Sequence, residues 1–120
     1  MINLSVDVEN TDVTVHVRPD DKEMYYVSYF ADKEYVDGFE SDEAFFQDEL
    51  DYYGSEAASW GISVEDYMRY ILMFQGDRDL NWSIAIYDVP QYAYAYGVNY
   101  DDITLATRIF KVEFVVTSSN

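Results

Sequence analysis

Cysteine is absent from the 120-residue chain, which excludes a disulfide scaffold, a thiolate metal site and a cysteine nucleophile. Basic residues are scarce: 7 Lys and Arg stand against 24 Asp and Glu, for a formal net charge of −17 with the histidine neutral. Those seven (Arg18, Lys22, Lys33, Arg69, Arg78, Arg108 and Lys111) are scattered, so no basic groove for a phosphate backbone is visible. Long apolar runs are missing as well. The stretch Tyr70 to Phe74 falls far short of the ~20 residues of a membrane span. The opening MINLSVDVEN lacks the basic flank and apolar run of a signal peptide. There is no Gly-x-Ser-x-Gly elbow, glycine-rich phosphate loop or His-x-x-x-His pair. The expectation is a soluble cytoplasmic protein with no cofactor and no catalytic residues.

What is present is apolar and aromatic material. Apolar residues make up 49% of the chain and aromatics 18%, enough for one packed domain spanning residues 1–120. Tyrosine leads with 13 copies, and its apolar ring with a polar tip suits half-buried positions and contact surfaces alike. Acidic charge is uneven. Asp32, Glu34, Asp37, Glu40, Asp42, Glu43, Asp48, Glu49, Asp51 and Glu56 crowd one segment, with Phe39, Phe45, Phe46, Leu50, Tyr52 and Tyr53 between them. A disordered acidic tail lacks such rings. The pattern predicts an ordered segment anchored by its aromatics, with its carboxylates toward water.

Along the chain, residues 2–8 and 13–18 alternate apolar and polar, and Glu9-Asn10-Thr11-Asp12 joins them as a hairpin. Residues 23–30 predict a third strand that can run on to Val36, giving an antiparallel meander. Ser41 is a good N-cap with Asp42 and Glu43 in the first turn, and Gly54 suits the stop. On that helix Asp42, Glu43, Asp48, Glu49 and Asp51 are expected on the outer side. Ser55 to Trp60 adds one further helical turn. A second helix runs from Ser63 to Gly76, with Val64, Tyr67, Met68, Ile71, Leu72 and Phe74 as the stripe that packs across the sheet. Strands follow at 82–87, 91–96 and 109–117, with a turn or short helix at Asp101-Asp102. The order β-β-β-α-α-β-β-β implies α+β: a mostly antiparallel sheet with helices on one face.

Two twelve-residue acidic stretches invite comparison with calcium loops. Asp32–Glu43 has Asp37 where the loop needs glycine, and the stretch opening Asp77-x-Asp79-x-Asn81 has Trp82 there. Neither meets the geometry. His16, the only histidine, falls on the polar side of a strand and reads as a surface residue. The Tyr92/Tyr94/Tyr96 ladder fits cross-strand packing within the sheet or an aromatic contact patch.

The acidic segment itself fits nucleic-acid mimicry. Duplex DNA carries a phosphate per ~3.4 Å along each strand, and helix carboxylates at i, i+3 or i+4 lie about 5–6 Å apart at Cβ. In size, acidity, aromatic richness and lack of cysteine the chain resembles the small DNA-mimic proteins of phages and mobile elements, including anti-restriction and anti-CRISPR proteins. That resemblance implies a non-enzymatic inhibitor in the cytoplasm of a host bacterial cell, whose partner is a basic nucleic-acid-binding protein, such as a bacterial defence nuclease or a CRISPR effector complex. The residues that would meet it are the ten carboxylates from Asp32 to Glu56, with Tyr52 and Tyr53 as anchors. An acidic module for another basic partner, or a domain whose charge is salt adaptation, are the alternatives.

Overall fold

The computed structural model describes residues 1–118. Its strands are β1 (Ile2–Glu9), β2 (Asp12–Pro19), β3 (Tyr26–Asp32), β4 (Arg78–Ser83), β5 (Gln91–Asn99), β6 (Thr104–Leu105) and β7 (Phe110–Phe114). Its helices are α1 (Lys33–Asp37), α2 (Asp42–Ser59) and α3 (Val64–Tyr67), the last continuing as a π-helical turn over Met68–Leu72. The class is α+β with antiparallel ladders, as the sequence implies. The strands form two sheets, however, instead of one.

The first sheet has the order β1-β2-β4. The β1–β2 hairpin closes through Asn10, whose φ of 55° is a left-handed value that asparagine tolerates. The expected meander fails at its third strand, because β2 pairs with β4 from far along the chain. β3 instead opens the second sheet, in which β5 is central, flanked by β3 on one side and by β7 and the short β6 on the other. Nor does β3 run on to Val36: at Lys33 the backbone turns into α1, which buries Val36.

The two sheets face each other across a core of Ile2, Val13, Val15, Val17, Ala93, Ala95 and Phe110. The other face of the second sheet is covered by α2, with Phe45, Phe46, Tyr94, Tyr96, Val98 and Ile109 between them. Sheet, sheet and helices thus make three layers, with β5 buried on both faces. Its small residues face the first sheet and its tyrosines face the helix, as the alternation Tyr-Ala-Tyr-Ala-Tyr requires.

Three further expectations are corrected. α2 runs through Gly54 to Ser59, since the residues after it, including the buried Ala57, continue the helical stripe. The helix that crosses the sheet is α2 and not the one after Ser63. The latter is only four residues of α-helix before a π turn closed by Met73 N–H on the Met68 carbonyl at 2.9 Å. Of its predicted stripe only Met68 is fully buried, Ile71 is exposed, and Phe74 pairs its backbone with Tyr26. The strand predicted at 82–87 lies earlier, at 78–83, and leaves Ile84 to drop into the core alone. Gly97 marks a close approach: a Cβ there would sit 2.8 Å from both Met24 Sδ and Thr107 Cγ2.

Candidate functional site

The acidic segment runs from Asp32, the last residue of β3, through α1 and the loop after it into α2. Ser41 caps α2 by accepting from Ala44 N–H at 3.1 Å, and Asp42 and Glu43 fill its first turn as the helix dipole favours. Asp42 also turns inward to accept from Ile109 N–H at 2.9 Å, which ties the helix start to the sheet. α1 and α2 adjoin: the Tyr35 hydroxyl donates to Asp48, and the Phe39 ring meets those of Tyr35 and Phe45 edge to face. Burial first, and then that bond to the Asp48 carboxylate, push the Tyr35 hydroxyl up to about 12.

Two of the twelve expected surface residues are not on the surface. Glu49 is buried beneath α2, where its Oε1 accepts from the hydroxyls of Tyr94 at 2.8 Å and Tyr96 at 3.1 Å. Those two rings stack with centroids 6.1 Å apart, and Phe45 meets Tyr94 edge-on at 5.1 Å. Burial raises the Glu49 carboxyl above the usual glutamate range, and the two tyrosine bonds oppose that shift without cancelling it. Tyr53 is likewise buried, so it is no surface anchor. The same contacts place Tyr94 and Tyr96 in the core, whereas Tyr92 stays half-buried beneath the ammonium groups of Lys33 and Lys111.

Of the remaining carboxylates, Asp32, Glu34, Asp37, Glu40, Glu43 and Asp51 are exposed, and Asp42, Asp48 and Glu56 are partly covered. Asp37 alone is ion-paired, to Lys33 at 2.7 Å and Lys111 at 3.9 Å, and the Lys33 bond holds its carboxyl below the usual range. The other nine carboxylates in the segment have no cationic partner among the described residues. The anionic surface is therefore a ridge drawn from α1, the loop and the outer side of α2. The dense array expected on one helix face does not form, because Glu49 points to the core and Asp48 to Tyr35.

On and beside the first sheet several acids are paired with bases. On the first sheet His16 lies between Asp7 (Nε2, 2.7 Å) and Asp79 (Nδ1, 2.8 Å). Arg18 reaches Asp79 at 2.7 Å, and Lys22 reaches Asp77 at 2.6 Å. The stretch that resembles the start of a calcium loop is thus a strand whose carboxylates are already paired.

Sequence reading missed the cleft beside the ridge. Tyr52 and Tyr53 of α2, Tyr29 of β3, Tyr67 of α3 and Trp82 of β4 line it with Glu56. No local pattern announces it, since four elements distant in sequence supply its walls. No protein-family model matches this chain, and comparison with curated proteins and with solved structures finds no match to either.

Proposed function

We propose that this protein is a non-catalytic inhibitor that mimics nucleic acid. In this reading it lays its acidic ridge in the basic DNA- or RNA-binding cleft of a bacterial defence nuclease, of the restriction or CRISPR kind. The observation that carries it is the shortage of cations along the ridge: Asp32 at the end of β3, Glu34 of α1, Glu40 of the loop, and Glu43 and Asp51 of α2 are exposed and have no cationic partner among the described residues. Holding like charges together works against folding, and a basic partner would relieve that repulsion. The carboxylates are held in place before binding, so little ordering entropy is lost on association.

The test is retention of bacterial lysate proteins on the immobilised domain at low salt, followed by elution with duplex DNA. Release of a nuclease or nucleic-acid-binding complex by DNA supports the reading. A retained partner that salt releases and DNA does not would make the protein an acidic module of another kind. No partner, with folding that needs molar salt, would assign the charge to salt adaptation, since the Debye length there is only about 3 Å.

A further inference from the structure

The ridge supplies charge, but it offers no shape that would fix a partner's register. A cleft beside it does. Two adjoining hollows of about 290 and 430 Å³ run between β3 and α2 and share Tyr29, Tyr52 and Tyr53 as common walls. Each is near the small end of the roughly 300–1,000 Å³ range of ligand pockets, a size for one or two side chains more than for a cofactor.

Their chemistry is one-sided. Neither hollow is lined by any Lys, Arg or His, while Glu56 lines the first and Asp48 and Asp51 line the second. The Glu56 carboxylate makes no hydrogen bond or ion pair with any other described residue. Tyr53 is 7% exposed, yet its hydroxyl has no hydrogen-bond partner among the described residues, and it is a wall of both hollows. That hydroxyl is not sealed from solvent, so it is free to pair within the cleft. The backbone adds an acceptor. Tyr26 gives both its main-chain bonds to Phe74, so strand alternation turns the Ser28 carbonyl toward the same outer edge of β3. Finally, the rings of Tyr29 and Tyr52 are 45% and 60% exposed, leaving aromatic faces open beside the carboxylates.

Aromatic faces, an unpaired carboxylate and spare acceptors together select a planar cation. We infer that this cleft seats an arginine of the basic partner, its guanidinium against the Tyr29 and Tyr52 rings and bonded to Glu56. This rests on the reading of the protein as a binder of a basic partner, and it adds the contact that fixes register. Arginine is favoured over lysine because its guanidinium is planar, weakly hydrated and presents several donors, so it stacks and pairs at once. A second copy of the chain is a poor occupant, since each carries a formal charge of −17. Nucleic acid is repelled by the same sign.

The test is an NMR titration of the full chain with N-acetyl-arginine amide, and in parallel with N-acetyl-lysine amide. Saturable shifts at the Trp82 indole N–H and at the Tyr29, Tyr53 and Tyr67 rings are expected with arginine. Lysine should bind more weakly. Tyr52→Ala and Glu56→Gln, both at sites open enough to leave the fold intact by circular dichroism, should each weaken arginine binding about two- to fivefold, the worth of one exposed cation–π contact or weak ion pair. Shifts spread over Glu9, Asp12 and Glu34 with Trp82 unmoved would overturn the assignment, as would equal binding of lysine.

The two levels of the argument separate in the partner complex. A partner that DNA releases but that binds Tyr52→Ala and Glu56→Gln unchanged would remove the cleft and leave the ridge. A cleft that takes arginine amide while no DNA-displaced partner exists would overturn the partner reading and leave only a cation site.

Discussion

The first sheet and the α1–α2 ridge are both rich in carboxylates, and they use them in opposite ways. On and beside the first sheet Asp7, Asp77 and Asp79 are held by His16, Arg18 and Lys22, while Glu9 and Asp12 at its hairpin have no cationic partner among the described residues. On the ridge a single carboxylate of ten, Asp37, has a cationic partner among the described residues. Acidity alone therefore says little about function in this chain, and the pairing of each acid says more. The ridge also contains its own exception in Glu49, which serves as the hydrogen-bond acceptor that orders two core tyrosines. Ridge and core meet on one helix, so a change at one position of α2 alters stability and at the next alters only surface charge.

The largest effect should come from the apolar residues on the buried side of α2. Phe45→Ala removes a ring that packs against Phe39, Tyr94 and Tyr96. It should cost about 3–5 kcal/mol in denaturant unfolding, enough to show that the ridge exists only while α2 is held on the sheet. Next is Glu49→Ala, which orphans the Tyr94 and Tyr96 hydroxyls at about 1–3 kcal/mol for each unpaired group. Glu49→Gln keeps an acceptor and should recover much of that loss. A Glu49→Ala variant as stable as the parent would mean that the carboxylate has no structural part.

Acid separates the two regions by sign. Burial raises the folded-state pKa of Glu49, so the stability tied to its protonated form is full below the ordinary glutamate range and is lost as pH rises through the raised value. Asp79 is lowered, first by its bond from His16 and then by that from Arg18; its contribution is full above the ordinary aspartate range and is lost as pH falls through the lowered value. His16 is raised by hydrogen bonds to Asp7 and Asp79, so its share is full below about 6.5 and fades as pH climbs through the raised value. In thermal melts across pH, the parent should gain on Glu49→Gln as pH drops from neutral. His16→Gln should remove the part of the decline above about pH 6.5 that belongs to this site. Parallel curves for parent and Glu49→Gln would mean that Glu49 titrates as an ordinary surface acid.

The smallest effect on stability is expected where the effect on binding is greatest. Glu40→Lys, Glu43→Lys and Asp51→Lys are exposed and unpaired, and each should move stability by no more than about 0.5 kcal/mol.

The fold was legible where it is local. The alternation of β1, β2, β5 and β7 and the Ser41 and Ser63 caps are written in consecutive residues and reappear in the structure. The division into two sheets was not, because β2 chooses β4 over β3 through packing between layers, which no window of neighbours contains. The end of α2 was misread because Gly54 is a stop signal only when the stripe ends with it, and Ala57 carries the stripe on. Glu49 was misplaced although a signal existed: it lies four residues from both Phe45 and Tyr53, on the same buried stripe. Counting spacing without regard to residue type would have put it inside. The cleft had no such signal, since Tyr29, Tyr52, Tyr67 and Trp82 meet only in three dimensions.

The central claim is that the α1–α2 ridge, and not net acidity, forms the binding surface. Two triple variants test it directly, each exchanging three negative charges for three positive ones: Glu40→Lys/Glu43→Lys/Asp51→Lys on the ridge and Glu9→Lys/Asp12→Lys/Glu23→Lys on and beside the first sheet. Both are immobilised and compared for retention of the partner that duplex DNA releases from the parent. The account predicts that the ridge variant loses the partner while the variant of the other region keeps it, with both folded. Equal loss from the two would mean that net charge alone attracts the partner, and unchanged retention by the ridge variant would place the binding surface elsewhere.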